Sequence, residues 1–166
     1  CASSNSVYNV SATASAVSAI AGGTLTNARW QHIMFGTGGS NYLVMCNGQD
    51  PVQNYDGSSF TTPTITGTGL TSSDKFVQVS ENKERLFFVE SSSTSVWYLA
   101  VNAIAGTASQ FDYAPLMDKG GFVQATATWT LDGGSGLDDY FVVLTSEGQA
   151  IVYSGTNPSS AAEWAL

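Results

Sequence analysis

The chain has 166 residues, which is enough for one domain with its own hydrophobic core. Charged residues make up only 11% of it, against roughly 25% in typical domains. The net charge of −8, with five basic residues in all, disfavours a basic groove for nucleic acid. No apolar run approaches the ~18 residues of a membrane-spanning helix, and residues 1–22 lack the basic start and continuous apolar run of a signal peptide.

The sequence pattern of residues 1–22 predicts two short strands. The first is centred on Val7-Tyr-Asn-Val10, and the second runs from Ala14 to Ile20, where small apolar and polar residues alternate. An alanine-rich helix over residues 12–20 is the alternative, but the serine and threonine content favours a strand.

A repeated hairpin pattern dominates the rest of the chain. Each copy has an apolar strand, a turn rich in glycine, aspartate or serine, and a second short strand that carries a tyrosine. The tyrosine comes thirteen positions after the start of the apolar strand in every copy. The pairs are Tyr42 with Tyr55, Arg85 with Tyr98, and Tyr140 with Tyr153. The equal spacing predicts one shared register for the three hairpins.

Other aromatic residues mark two more strands in each copy. One aromatic residue stands in an extended segment before each hairpin, and another stands in a short fourth segment after it. The repeat markers are Tyr8, Tyr55, Tyr98, Tyr153, Trp30, Phe76, Phe122 and Trp164. A recurring unit of four short strands is typical of a β-propeller blade, and a meandering β-sandwich is the alternative.

The predicted fold is therefore all-β, with the antiparallel four-stranded blades of a β-propeller. About three and a half blades are predicted in one domain or fragment, as a half blade at 1–22 and blades at about 25–68, 70–116 and 117–166. Propellers close with whole blades, so a half-built blade leaves an open sheet edge and an apolar face. We expect other segments of a larger protein, or other subunits, to cover these faces.

Candidate catalytic and metal-binding residues are few. His32 is the only histidine, and no cysteine pair has ligand spacing, so packing or plain exposure is predicted for it. Asp132, Asp138 and Asp139 fall in a predicted glycine-rich turn over residues 131–139, where a solvated turn is favoured over a cation site. The chain has no Gly-x-Ser-x-Gly motif for a nucleophilic hydrolase. The sequence predicts no enzymatic activity, no catalytic residues, no cofactor and no metal.

Four further residues have structural predictions. Cys46 lies in an apolar strand and is predicted to pack as a small hydrophobic residue. Two cysteines make no disulfide framework, so a Cys1–Cys46 bond stays open. Asp50 and Asp56 flank a tyrosine strand and are predicted as turn residues.

Three phrases carry a resemblance to a known family: Asn47-Gly-Gln-Asp-Pro-Val-Gln-Asn-Tyr-Asp-Gly57, the strand pair within residues 84–99, and Leu144-Thr-Ser-Glu-Gly-Gln-Ala-Ile-Val-Tyr-Ser-Gly-Thr-Asn-Pro-Ser-Ser160. They resemble propeller segments of bacteriophage virion proteins, especially the tail nozzle or tail tubular protein of short-tailed phages. The resemblance implies a structural component of the phage tail, in which copies of the subunit and other virion proteins form a ring around the genome exit channel. It also implies an acidic channel that repels phosphate, with which the net charge is compatible. A receptor- or glycan-binding propeller module at a tail tip is the alternative.

Overall fold

The structure is a computed structural model that describes residues 2–3, 5–10, 19–22, 25–132 and 137–166, without the side chains of 19–22, 132, 137 and 138. These residues contain seventeen β-strands and two short 3-10 turns, and no α-helix. The strands are β1 Ala2–Ser3, β2 Ser6–Tyr8, β3 Ala19–Gly22, β4 Gln31–Thr37, β5 Ser40–Cys46, β6 Gln53–Tyr55, β7 Phe60–Thr61, β8 Ile65–Thr66, β9 Phe76–Asn82, β10 Arg85–Glu90, β11 Ser95–Tyr98, β12 Gly106–Thr107, β13 Ser109–Asp112, β14 Val123–Asp132, β15 Leu137–Thr145, β16 Ala150–Gly155 and β17 Trp164–Ala165.

Three antiparallel four-stranded sheets form most of the molecule. The first sheet is β4-β5-β6-β7, the second is β9-β10-β11-β13, and the third is β14-β15-β16-β17. Each is an antiparallel meander, and its first two strands are joined directly as a hairpin. In the second sheet the turn is Lys83-Glu84, and both residues have positive φ angles of 46° and 61°, as a two-residue hairpin turn requires. The prediction of an all-β chain built from antiparallel four-stranded sheets is confirmed.

Two parts of the chain differ from the sequence prediction. The described residues up to Gly22 contribute three strands rather than two, because Ala2–Ser3 also pairs with β2 in a three-stranded sheet of order β1-β2-β3. Residues 11–18, which include most of the predicted strand Ala14–Ile20, lie outside the described part of the chain. The short fourth segment after the first hairpin divides into two strands, β7 and β8. Strand β8 leaves the first sheet and pairs in parallel with β12, which joins the first and second repeats.

The third sheet also extends further than predicted. The turn expected at residues 131–139 is mostly strand, since β14 runs to Asp132 and β15 begins at Leu137. The Thr130 hydroxyl donates a hydrogen bond to the Asp139 carboxylate across the two strands. Aspartate is a common turn residue, but here a threonine partner and the long strand pairing hold it within a two-stranded ribbon. The four residues between the strands, and the side chains of Asp132 and Asp138, lie outside the described part of the chain.

The sheets stack face to face around two apolar clusters. The first cluster joins the first and second sheets through residues such as Phe35, Val44 and Phe88. The second joins the second and third sheets through residues such as Phe87 and Phe141. The second sheet is therefore buried on both faces, which explains why the central strand Arg85–Glu90 is apolar at consecutive positions.

The register of the second hairpin differs from the prediction by one residue. Tyr55 pairs with Leu43 and Tyr153 with Phe141, which are equivalent positions of the repeat. Tyr98 pairs with Phe87, one position later than equal spacing requires. A slip of one residue moves a side chain to the opposite face of its sheet. Tyr98 consequently faces the third sheet, whereas the tyrosines of the other two sheets face the preceding sheet.

The slip causes no loss of burial, because the third strand of the second sheet is apolar on both faces. Trp97 is buried towards the first sheet while Tyr98 is buried towards the third. The Trp97 indole donates a hydrogen bond of 2.9 Å to Glu90, which keeps its polar group satisfied.

Candidate interaction surface

The single histidine has no metal-binding group around it among the described residues. His32 is exposed in β4, where it pairs with Met45. Across the described parts of the chain, no group of three or more histidine, cysteine, aspartate or glutamate side chains is placed to hold a metal ion. Cys46 is a fully buried free thiol, and burial raises its pKa to about 12, so it is not a nucleophile in the folded protein. Cys1 lies outside the described residues.

Asp50 lies in the turn between β5 and β6 and is a buried structural anchor there. Its carboxylate accepts hydrogen bonds from the amide and hydroxyl of Thr26, the amide of Asn27 and the side-chain nitrogen of Asn47, at 2.6–3.2 Å. Desolvation raises the pKa of Asp50, but these hydrogen bonds outweigh it and hold the pKa below its usual value. The network fixes the segment that leads into β4 against the turn after β5. Asp56, by contrast, is exposed and accepts from the amides of Ser58 and Ser59 in an ordinary turn.

Four of the eight repeat markers are buried in the two apolar clusters. Tyr98, Tyr153 and Trp164 lie together in the second apolar cluster, where Phe87 approaches Phe141 with ring centroids 4.3 Å apart. Phe76 is buried in the first cluster. The markers outside these clusters are Trp30 and Phe122, which are half-buried immediately before β4 and β14, and Tyr8 and Tyr55, which are half-buried in β2 and β6.

The first strands of the three sheets lie side by side. Strand β9 contacts both β4 and β14. The Gln78 side chain bridges β9 to β14 like a strand partner, since it donates to the Thr126 carbonyl at 2.7 Å and accepts from the Thr126 amide at 2.8 Å. Where the three strands meet, an open cavity of about 300 Å³ is lined by one glutamine from each, Gln31, Gln78 and Gln124. These glutamines occupy nearly equivalent positions of the repeat.

The third sheet has an apolar face that no described residue covers. This outer face is opposite the one that packs on the second sheet, and its three most exposed large side chains are Trp129, Leu131 and Leu144, at 52%, 41% and 46% exposure. Strand pairing places Ala127 and Val152 on either side of Val142 on the same face. Scattered exposed apolar residues are ordinary, but a contiguous apolar sheet face marks an interaction surface.

The first sheet carries a second exposed apolar row on its own outer face. Strand pairing aligns Met34, Leu43, Tyr55 and Phe60 across all four strands. Met34 is 61% exposed, the other three are half-buried, and the Tyr55 and Phe60 rings stack at 4.7 Å. The three-stranded sheet approaches the same face through Val7, and a cavity of about 370 Å³ remains there.

The alternation that produces the outer faces was visible in the sequence. Apolar residues occupy every second position from Ala125 to Leu131, but alternation alone does not say which face of a sheet a neighbour covers.

Comparison with known proteins adds no identification, since no family model matches the chain and neither a curated protein nor a solved structure is significantly similar to it. Within the described residues there is no helix with the length and apolar character needed to cross a membrane.

Proposed function

We propose that the three four-stranded sheets are consecutive blades of a β-propeller and that the chain is a structural component of a phage virion. The observation that carries the proposal is the convergence of β4, β9 and β14 on one glutamine-lined cavity. In a propeller the first strand of every blade borders the central channel, so three neighbouring first strands are the expected arrangement.

The sense of stacking supports the same interpretation. The second sheet packs on the first with one face and on the third with the other, since Val44 and Cys46 face the second sheet and Phe87 and Val89 face the third. A sandwich of two sheets has no reason to continue in this way. The proposed assembly is the tail nozzle or tail tube around the genome exit channel, as the resemblance of the blade phrases implies, and the net charge of −8 suits a channel that repels phosphate. The proposal includes no enzymatic activity.

The test is the location of the chain in an assembled particle. Tailed particles that carry the chain are purified, its copy number is measured by quantitative mass spectrometry, and its density is located by cryo-electron microscopy. The expected result is several copies arranged in a ring at the tail. Absence of the chain from intact particles contradicts the structural role.

A receptor- or glycan-binding module at a tail tip is the second candidate, and one observation favours it. Trp129 and Tyr140 lie side by side on the exposed outer face of the third sheet, with ring centroids 6.4 Å apart. Exposed aromatic rings stack on sugar rings, so binding on a glycan array that disappears in Trp129→Ala would support this candidate. Absence of binding to glycans and host surfaces would favour the structural role.

A further inference from the structure

A charged cleft lies between the second and third sheets. One wall is the turn between β9 and β10, and the other is the segment between β16 and β17. The cleft is open to solvent and has a volume of about 520 Å³, which is within the ~300–1,000 Å³ of ligand sites. Its lining includes Lys83, Arg85, Val101, Thr156, Asn157 and Glu163.

Two of the five basic residues of the chain line this cleft, and neither has an acidic partner. Ion pairing within the described residues is confined to Lys75 and Asp74, so Lys83 and Arg85 form none. The Arg85 guanidinium donates one hydrogen bond, of 3.3 Å, to the Leu99 carbonyl, and its Nε has no acceptor. Because a guanidinium has several N–H donors, most of those of Arg85 are left for a ligand.

The turn that carries these cations gives up stability to place charged side chains here. Lys83, Glu84 and Asn102 all have positive φ angles, of 46°, 61° and 58°. Asparagine and glycine suit such a turn better than lysine and glutamate do, and strained residues of this kind cluster at functional sites. The Asn102 side chain donates to the Glu84 carboxylate at 3.2 Å, so Glu84 is bound to Asn102 instead of to the cations.

The opposite wall supplies oxygen acceptors on a fixed segment. Thr156 and Glu163 are exposed, and Glu163 is in no ion pair within the described residues. The Thr156 amide donates to the Glu163 carbonyl at 3.0 Å, which closes the ends of the segment. The hydroxyls of Tyr98 and Ser159 share a hydrogen bond of 2.8 Å, which ties the segment to the second sheet. The cleft therefore presents cationic donors on one wall and acceptors on the other.

We propose that this cleft binds an acidic sugar, a ligand with one carboxylate and several hydroxyl groups. The carboxylate accepts hydrogen bonds from Lys83 and Arg85, as carboxylates do from ammonium and guanidinium groups. The sugar hydroxyls donate to Glu163 and Thr156, and Val101, which is 44% exposed, lies against the ring. An acidic protein side chain fits less well, because it has no hydroxyl to donate to Glu163 and brings a second carboxylate towards it. The inference goes beyond the proposed structural role and does not rest on it.

The experiment is a titration of the isotope-labelled chain with glucuronate, followed through the backbone amide signals in two-dimensional NMR spectra. Glucose lacks only the carboxylate and acetate lacks the hydroxyls, so they are the matched control ligands. A monosaccharide is small, so a dissociation constant of about 1 mM is expected. The amide signals of residues 83–85 and 156–157 should shift and saturate. Glucose and acetate should bind at least about tenfold more weakly, because each lacks one group of contacts.

Lys83→Asn separates binding from folding. It removes the ammonium group, and asparagine is well tolerated at a positive φ, so the variant should unfold at the same Tm or a higher one. Its affinity for glucuronate should fall at least about tenfold, because a charge-assisted hydrogen bond is lost. Lys119→Asn is the matched control, since Lys119 is exposed, lies outside the cleft and changes the net charge equally. It should bind glucuronate as the wild type does.

Four outcomes overturn the inference. Shifts that do not saturate up to about 50 mM glucuronate show that the cleft does not bind the sugar. Acetate that binds as well as glucuronate indicates a site for any carboxylate, such as that of an acidic peptide. Equal losses in Lys83→Asn and Lys119→Asn indicate only the long-range effect of net charge. Shifts centred on Trp129 and Tyr140 place the sugar on the outer face of the third sheet instead. None of these outcomes bears on the location of the chain in a particle, so the proposed function is tested separately.

Discussion

Replacement of Phe87 by alanine tests whether the second and third sheets share one core. Phe87 is 2% exposed, and its ring lies 4.3 Å from that of Phe141, 5.7 Å from that of Tyr98 and 6.3 Å from that of Trp164, measured between centroids. The substitution removes the ring at the centre of this cluster and leaves a cavity between two sheets. The pairing within the second sheet stays intact.

We expect the substitution to lower the free energy of unfolding by about 3–5 kcal/mol, the usual loss for a buried phenylalanine. Domains have only about 5–15 kcal/mol in total, and the corresponding fall in Tm is about 10 °C. Urea unfolding followed by tryptophan fluorescence and circular dichroism measures the loss by linear extrapolation. Val101→Ala, at an exposed position, is the control and should change the free energy by less than about 0.5 kcal/mol.

A double-mutant cycle with Phe141→Ala distinguishes packing between the sheets from instability of either sheet alone. Because the two rings touch, the double variant should lose about 1 kcal/mol less than the sum of the single losses. Additive losses, or a loss below about 1 kcal/mol for Phe87→Ala, would refute the stacking of these two sheets.

Three further predictions concern the anchor, the buried thiol and one glycine. Asp50→Ala should lower the free energy of unfolding by about 3 kcal/mol because buried donors lose their acceptor. The pKa of Asp50 is lower in the folded protein than in the unfolded chain, so its carboxylate stabilises the fold fully above its unfolded pKa of about 4. This stabilisation is lost as the pH falls from there through the folded pKa. In urea unfolding at decreasing pH, Asp50→Asn should therefore lose less free energy of unfolding than the wild type. In a Cys1→Ser background, Cys46 should react with a thiol reagent only after unfolding, and rapid native-state labelling at pH 8 would contradict its burial. Gly155→Ala should break the β16–β17 pairing, because Gly155 has a φ of 128° and a Cβ there would collide with the Glu163 carbonyl, and unchanged thermal unfolding would contradict this.

The hairpins and the alternating strands that form them were predictable because they depend on residues that are close in sequence. Alternation and turn residues such as Asn-Gly and Asp-Gly act over two to four residues, and the hairpins around Tyr55 and Tyr153 pair in the shared register that equal spacing predicts. The sequence also indicated that both faces of β10 are apolar. It did not indicate which sheet packs on each of these faces.

Three features depended on tertiary contacts. The register slip that turns Tyr98 towards the third sheet depends on burial of both faces of β11 by two different sheets. In sequence Asp50 resembles an ordinary turn residue. In the structure its carboxylate is buried and accepts hydrogen bonds from the amides of Thr26 and Asn27, which lie more than twenty positions away. Residues 131–139 contain turn formers, but pairing with the preceding strand extends β15 to Leu137.

The sequence by itself determined the all-β class, the three hairpins and the repeated unit, because these arise from local periodicity. Only the tertiary structure decided which face of each sheet is covered, since the same alternating strand can bury either face and the choice depends on the neighbouring sheet. The outer face of the third sheet shows the difference, because Trp129 and Leu144 alternate as core residues do and yet remain exposed in this chain.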